Sequence, residues 1–177
     1  MNATALLPLE PPDVHLVRAA EGWLELNLPA EAEAELSQLS PGAQSHPLVL
    51  QARWQLHAHQ NQWTLAHTVA EALVQIFPGE VIAWVHRAYA ARRKDGGGLQ
   101  AAWDALRPAA ELFPGETIVP YNLACYACQL GKHDDARHWL GRALEVAGKQ
   151  TARDSLRRMA LADPDLAPLR EEISGWK

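Results

Sequence analysis

Apolar residues along most of the chain recur every three or four positions, with charged and amide residues between them. The first such segment carries Leu16, Ala19, Ala20 and Trp23 at this spacing. Because an α-helix turns once in about 3.6 residues, the spacing places these side chains on one helical face. Strong helix formers, above all Ala and Leu, dominate the composition, and β-branched residues are few. The pattern therefore predicts an all-α fold of amphipathic helices.

Proline marks several predicted helix boundaries. Pro47 and Pro120 stand in predicted first turns, where the missing N–H leaves no intrahelical bond unmade. The residues that precede them and that are suited to cap a helix are Ser45 or His46, and Thr117. Pro108 falls inside a predicted helix and should kink it or end it early.

A four-residue sequence repeats at a matched position. Phe77-Pro78-Gly79-Glu80 recurs 36 residues later as Phe113-Pro114-Gly115-Glu116, each time after an apolar helical stretch that the Pro-Gly pair should end. Four alanines fit a similar period, with spacings of 34, 36 and 34 residues: Ala32, Ala66, Ala102 and Ala136. Turn signals fit it as well: Leu26-Asn27, Gln60-Asn61, Gly96-Gly97-Gly98 and Leu130-Gly131. A period of this length is typical of stacked helix pairs.

These positions resemble the tetratricopeptide-repeat (TPR) family, as found in small stand-alone prokaryotic TPR proteins. Its unit is a helix–turn–helix of 34 residues with a small residue early in the second helix and a closing proline. The resemblance divides residues 13–148 into four units, at about 13–46, 47–80, 81–116 and 117–148. The fourth unit matches best, the first lacks the closing proline, and the third has two extra residues in its glycine run. The resemblance implies a right-handed α-solenoid whose stacked helix pairs share one elongated core.

The two ends of the chain fall outside the repeats. Residues 1–12 are rich in proline and are predicted to form an extended leader against the first helix pair. Residues 149–177 are predicted to form capping helices, the first of them amphipathic over residues 151–162. Asp165 is expected to cap a second, short helix. Trp176, close to the end of the tail, is expected to be the most exposed tryptophan.

The TPR resemblance also implies a binding groove. In TPR proteins the first helix of each unit lines a concave face that binds an extended or helical peptide. The corresponding positions in the four units are Arg18, Glu21 and Glu25; Gln51, Gln55 and His59; His86, Tyr89, Arg92 and Arg93; and Tyr121, Asn122, Cys125 and Gln129. Tyr and Arg are side chains that commonly dominate binding surfaces. The basic centre predicts a partner segment that bears carboxylates. The Lys and Asn clamp of chaperone-binding TPR proteins is only partly matched.

No residue pattern predicts catalysis. Cys125 and Cys128 form a single CxxC, but a zinc site needs two further ligands and a redox pair needs a helix N-terminus. We therefore expect both cysteines to be packed side chains. The eight histidines show no metal-binding spacing. We predict no enzymatic activity, no metal and no cofactor. A metal or redox protein that uses the two cysteines is the alternative, and it predicts bound metal in the purified protein.

Charge and cysteine content narrow the class of partner and the compartment. The net charge of −5 and the isoelectric point near 5.9 argue against nucleic-acid binding, which needs a basic surface. From Glu10 to Glu35 the sequence contains seven acidic residues and one basic residue, Arg18. Two cysteines without a disulfide pattern suit a reducing compartment. Without a signal-peptide pattern or an apolar run of about 18 residues, a cytoplasmic protein that does not span a membrane is expected.

The function predicted from these features is that of an interaction scaffold or adaptor that holds a partner protein or peptide. A secretion or assembly chaperone for an aggregation-prone partner is the alternative, and it predicts that the partner is insoluble alone. An exposed first helix pair is also compatible with a homodimer.

Overall fold

The computed structural model describes residues 8–176, and every regular element in that range is helical, which confirms the all-α prediction. The α-helices, in chain order, are α1 (Asp13–Glu25), α2 (Pro29–Ser37), α3 (Pro47–His59), α4 (Trp63–Ile76), α5 (Val81–Arg93), α6 (Leu99–Leu106), α7 (Ala109–Leu112), α8 (Ile118–Gln129), α9 (His133–Ala147), α10 (Gln150–Ala162) and α11 (Arg170–Gly175). Short 3₁₀ helices lie at Pro41–Ala43 and Pro164–Leu169, and the second is called the tail 3₁₀ helix below. No helix in this range is long and apolar enough to cross a membrane. Most of the predicted leader, residues 1–7, and the last residue lie outside the described range.

Three of the four predicted turns adopt the same backbone conformation. Asn27 (φ 58°), Asn61 (φ 56°) and Gly131 (φ 73°) occupy the left-handed region at the ends of α1, α3 and α8. Each donates its N–H to the carbonyl three residues earlier, at 2.9, 3.1 and 3.0 Å. Glycine and asparagine tolerate this conformation better than other residues, so the sequence ends these helices at matching points.

The third turn, between α5 and α6, is built differently. Gly96 and Gly98 both have positive φ, at 67° and 129°. Between them, a Cβ on Gly97 would lie 2.1 Å from the carbonyl oxygen of Ala91. The N–H of Gly98 donates to that same oxygen at 3.1 Å. The glycine run is therefore a tight turn that admits no side chain at its centre.

Proline and side-chain caps set several boundaries, with two differences from expectation. Pro108 separates α6 from α7, as predicted. His46 caps α3, because its Nδ1 accepts a backbone N–H at 3.2 Å. Thr117 makes no such bond at the start of α8. The expected cap Asp165 is wrong: Asp163 caps the tail 3₁₀ helix, and its carboxylate accepts the N–H of Asp165 at 2.9 Å.

Each helix packs chiefly against helices close to it in the chain. The contacts join α1 with α2 and α3, α4 with α3 and α5, α6 with α5 and α8, and α8 with α9. The four periodic alanines lie in α2, α4, α6 and α9 and have no exposed surface: Ala32, Ala66, Ala102 and Ala136. Because protein interiors are closely packed, a small side chain at these positions lets the helices approach one another.

The tail folds back on the last helix pair. The tail 3₁₀ helix packs against α8, and α10 packs against α9. Leu166, Leu169 and Ile173 are buried completely or almost so, in one apolar cluster with side chains of α8 and α9. Trp176 is partly buried against this cluster, and its backbone oxygen accepts a hydrogen bond from Arg157.

Candidate binding groove

A cavity of about 910 Å³ opens between α1, α3 and α5, the first helices of the first three predicted units. Its lining comes from these helices and from the first residue of α4: Glu21, Leu24, Glu25, Trp54, Gln55, Ala58, His59, Trp63 and Tyr89. One wall is therefore acidic and another is aromatic. We call this space the N-terminal cavity.

The aromatic wall of the N-terminal cavity is a connected set of rings. The indole of Trp54 lies flat on the imidazole of His86, with 3.6 Å between ring centroids and 4° between planes. Tyr89 meets Trp54 and Trp63 edge to face, at centroid distances of 6.2 and 5.7 Å. The two edge-to-face contacts are the favourable geometry for aromatic pairs, and together with the flat stack they pack the rings against one another.

His86 supports this wall from behind. The sequence placed it in the groove, but the structure stacks it against Trp54 and lets it line a separate cavity of about 250 Å³ together with Gln51. Burial lowers the pKa of His86 to about 4, so its imidazole is neutral at neutral pH. Its Nδ1 and the indole nitrogen of Trp54 have no hydrogen-bond partner within residues 8–176.

Arg93 lies against the same aromatic residues. Its guanidinium carbon is 3.4 Å from the ring centroid of Tyr89 and 5.3 Å from that of Trp63. It also donates to the backbone oxygen of Tyr89 at 3.1 Å. Arg93 lines a smaller cavity of about 310 Å³, which shares Trp63 with the N-terminal cavity. The guanidinium is thus held by rings of its own chain.

Arg92 has a carboxylate partner within the chain. Its two terminal nitrogens donate to both oxygens of Asp165, at 2.6 and 3.2 Å. The hydrogen bond to Asp165 raises the pKa of Arg92. Its guanidinium also lies 5.9 Å from the ring centroid of Tyr126. The charge of Arg92 is therefore paired within the chain.

The tail also covers the groove positions of α8. The hydroxyl of Tyr121 donates to Asp163 at 2.8 Å, and the Cys125 thiol lies 3.7 Å from the same oxygen. Gln129 donates to the backbone oxygen of Asp165 at 3.0 Å. Burial is the main cause that raises the pKa of both Tyr121 and Cys125. The tail therefore closes the predicted groove at α8.

The predicted groove residues accordingly fall into distinct places. Five of them line the N-terminal cavity: Glu21, Glu25, Gln55, His59 and Tyr89. The tail contacts Arg92, Tyr121, Cys125 and Gln129, whereas Gln51, His86 and Arg93 line the two smaller cavities. Arg18 is exposed on α1, and Asn122 donates to a backbone oxygen of its own helix at 2.8 Å.

The wall residues that sequence reasoning missed are Leu24, Trp54, Ala58 and Trp63. Trp54 and Ala58 lie one helical turn apart on α3, beside Gln55 and His59. This spacing is the sequence feature that could have identified them as wall residues.

The two cysteines sit in the covered part of the molecule. Both thiols are free and buried. Burial raises the pKa of each, which opposes the thiolate form that nucleophilic and metal-binding cysteines require. Within residues 8–176 no group of three or more His, Cys, Asp or Glu side chains is placed to hold a metal ion.

No protein-family model matches the chain. No curated protein matches it either.

Proposed function

We propose that this protein is a TPR-like α-solenoid that serves as an interaction scaffold, and that it holds a segment of a partner protein in the N-terminal cavity. The observation that carries this proposal is the cavity itself. It lies on the first helices of three successive helix pairs, with an aromatic wall on one side and carboxylates on the other.

Three regularities support the solenoid. Helices pack mainly against near neighbours in the chain, as expected when each repeat contacts only adjacent repeats. Asn27 and Asn61 turn the chain in the same way 34 residues apart, the length of a TPR unit. The buried alanines follow the same period. The tail, with its three buried apolar side chains, then serves as the C-terminal cap that a solenoid needs.

The character of the wall supports binding. Tyr and Trp side chains provide large, rigid contact surfaces and are enriched among residues that dominate binding energy. Since Trp54, Trp63 and Tyr89 already hold one another in place, little side-chain freedom is lost when a ligand packs on them. A volume of about 910 Å³ falls in the range of roughly 300–1,000 Å³ that is typical of ligand cavities.

A cavity-filling substitution tests the proposal. Gln55→Trp places a bulky ring in the cavity, whereas Gln75→Trp introduces the same ring at an exposed position of α4. Wild type and both variants serve as baits in affinity capture from a lysate of the native host, with captured proteins identified by mass spectrometry. We expect a partner that wild type and Gln75→Trp retain and that Gln55→Trp loses.

Retention of every captured protein by Gln55→Trp would contradict binding in the cavity. Circular dichroism and thermal unfolding of the two variants ensure that a loss reflects a blocked cavity and not an unfolded bait.

A further inference from the structure

The acidic wall of the N-terminal cavity carries two carboxylates that have no ion-pair partner among the described residues. Glu21 and Glu25 lie one turn apart on α1 and both face the cavity. Within residues 8–176 neither carboxylate forms a hydrogen bond or an ion pair. Like charges at this spacing on a helix repel each other, so a cation placed between them would relieve an existing repulsion.

Two arginines of α5 have contacts of their own, and Arg18, one turn from Glu21 on α1, forms no ion pair among the described residues. Arg92 is paired with Asp165, and Arg93 lies on Tyr89 and Trp63 beside the smaller cavity. Of the two arginines from which the sequence predicted an acidic partner, Arg92 is thus paired with a carboxylate of its own chain.

The aromatic wall favours the same sign of ligand. The face of an indole or phenol ring attracts ammonium and guanidinium groups, most strongly when water is excluded. Arg93 demonstrates this affinity within the chain, since its guanidinium already lies on Tyr89 and Trp63. Carboxylates and aromatic faces thus meet in one cavity, and both attract cations.

We propose that the N-terminal cavity receives a Lys or Arg side chain of a basic partner segment. This inference rests on the proposed scaffold function and specifies its ligand. The aliphatic stem of such a side chain packs on the rings of Trp54 and Trp63, and its charged end reaches Glu21 and Glu25. The acidic run from Glu10 to Glu35 extends the attraction beyond the cavity and should speed the encounter with a basic segment.

The test uses synthetic peptides as defined probes. Randomised, end-capped and fluorescently labelled peptide pools carry Arg, Lys, Glu or Leu at a fixed central position. Fluorescence anisotropy measures their affinity for the full-length protein at low and at physiological salt. We expect the Arg and Lys pools to bind at least about tenfold more tightly than the Glu and Leu pools, and to weaken as salt rises.

Two double variants separate the cavity from overall charge. Glu21→Gln/Glu25→Gln should weaken the Arg and Lys pools by about tenfold. Glu116→Gln/Glu171→Gln removes the same charge from exposed positions outside both the cavity and the acidic run and should leave the affinity unchanged. Gln55→Trp should abolish binding of these pools.

The remaining outcomes overturn the inference in distinguishable ways. Preference for the Glu or Leu pool, abolished by Gln55→Trp, would reject a cationic ligand and leave the scaffold function standing. Equal losses in the two double variants, or binding that survives Gln55→Trp, would mean that basic peptides associate only through overall charge. If no pool binds, the cationic ligand is rejected, and the Gln55→Trp and Gln75→Trp capture experiment alone decides the scaffold function.

Discussion

Arg92 on α5 and Asp165 in the tail 3₁₀ helix form a two-point ion pair across 73 residues of chain. Both side chains are about three-quarters buried, so water screens the pair less than it screens a surface ion pair. The pair fastens the tail to the third predicted unit while the apolar side chains of the tail fasten it to the fourth. It also pairs one of the two arginines from which the sequence predicted an acidic partner.

Asp165→Asn should destabilise the protein, because it leaves the Arg92 guanidinium partly buried without its charge partner. Loss of a hydrogen bond to a charged group costs about 1.5–3 kcal/mol. Urea unfolding followed by circular dichroism measures the change. Glu145→Gln is the control, since it breaks the exposed ion pair with Arg142 and should change stability by less than about 1 kcal/mol. Equal effects of the two substitutions would mean that the Arg92–Asp165 pair stabilises the protein no more than an exposed ion pair does.

Leu166→Ala should loosen the tail and expose the thiols beneath it. Leu166 is completely buried, and removal of such a side chain costs about 2–5 kcal/mol. Cys125 and Cys128 should react slowly with a thiol reagent in wild type and much faster in this variant, because the tail covers them. Met159→Ala on α10, where the side chain is about half exposed, should leave the rate nearly unchanged. Fast reaction in wild type would show that the tail does not cover α8 in solution.

Gly97→Ala should be strongly destabilising despite the small size of the added methyl group. The new Cβ would lie 2.1 Å from one backbone oxygen and 2.9 Å from another, so the turn between α5 and α6 must deform. We expect a loss of about 2 kcal/mol or more in unfolding free energy. Gly115→Ala is the matched control, because nothing lies within 4 Å of its added Cβ and it should cost little. A neutral Gly97→Ala would contradict the tight turn.

His86 should make the stability fall in acid. Its pKa is about 4 in the folded protein, against about 6.5 for an ordinary histidine. Between these values the unfolded chain binds a proton that the folded protein does not, so stability decreases as the pH drops from about 6.5 to about 4, by up to about 3 kcal/mol. His86→Phe keeps a ring against Trp54 but cannot titrate. Urea unfolding at a series of pH values should show a shallower acid decline in His86→Phe than in wild type, and parallel curves would refute the prediction.

The features that sequence reasoning captured are those that local chemistry dictates. Asn27 and Asn61 end helices because they tolerate the left-handed conformation, and Ala32 and Ala66 are buried because only a small side chain fits there. These constraints repeat with the period of the helix pairs and are therefore visible in the sequence.

The features that it missed depend on contacts between distant parts of the chain. No periodicity shows that Asp165 reaches Arg92, so the tail was predicted as a cap but not as the cover of Tyr121 and Cys125. A large apolar residue such as Trp54 usually lies in the core. It is indeed buried for the most part, but one side of it forms a cavity wall, which only the arrangement of three helices reveals.

The central claim, that a partner segment occupies the N-terminal cavity, is tested most directly by photo-crosslinking in cells of the native host. An amino acid with a small diazirine side chain, which leaves the cavity open, replaces Gln55 in the cavity or, as the control, Gln75 on the exposed face of α4. The account predicts an adduct with a partner from position 55 and none with that partner from position 75. Adducts of equal yield at both positions, or an adduct from position 75 alone, would contradict it.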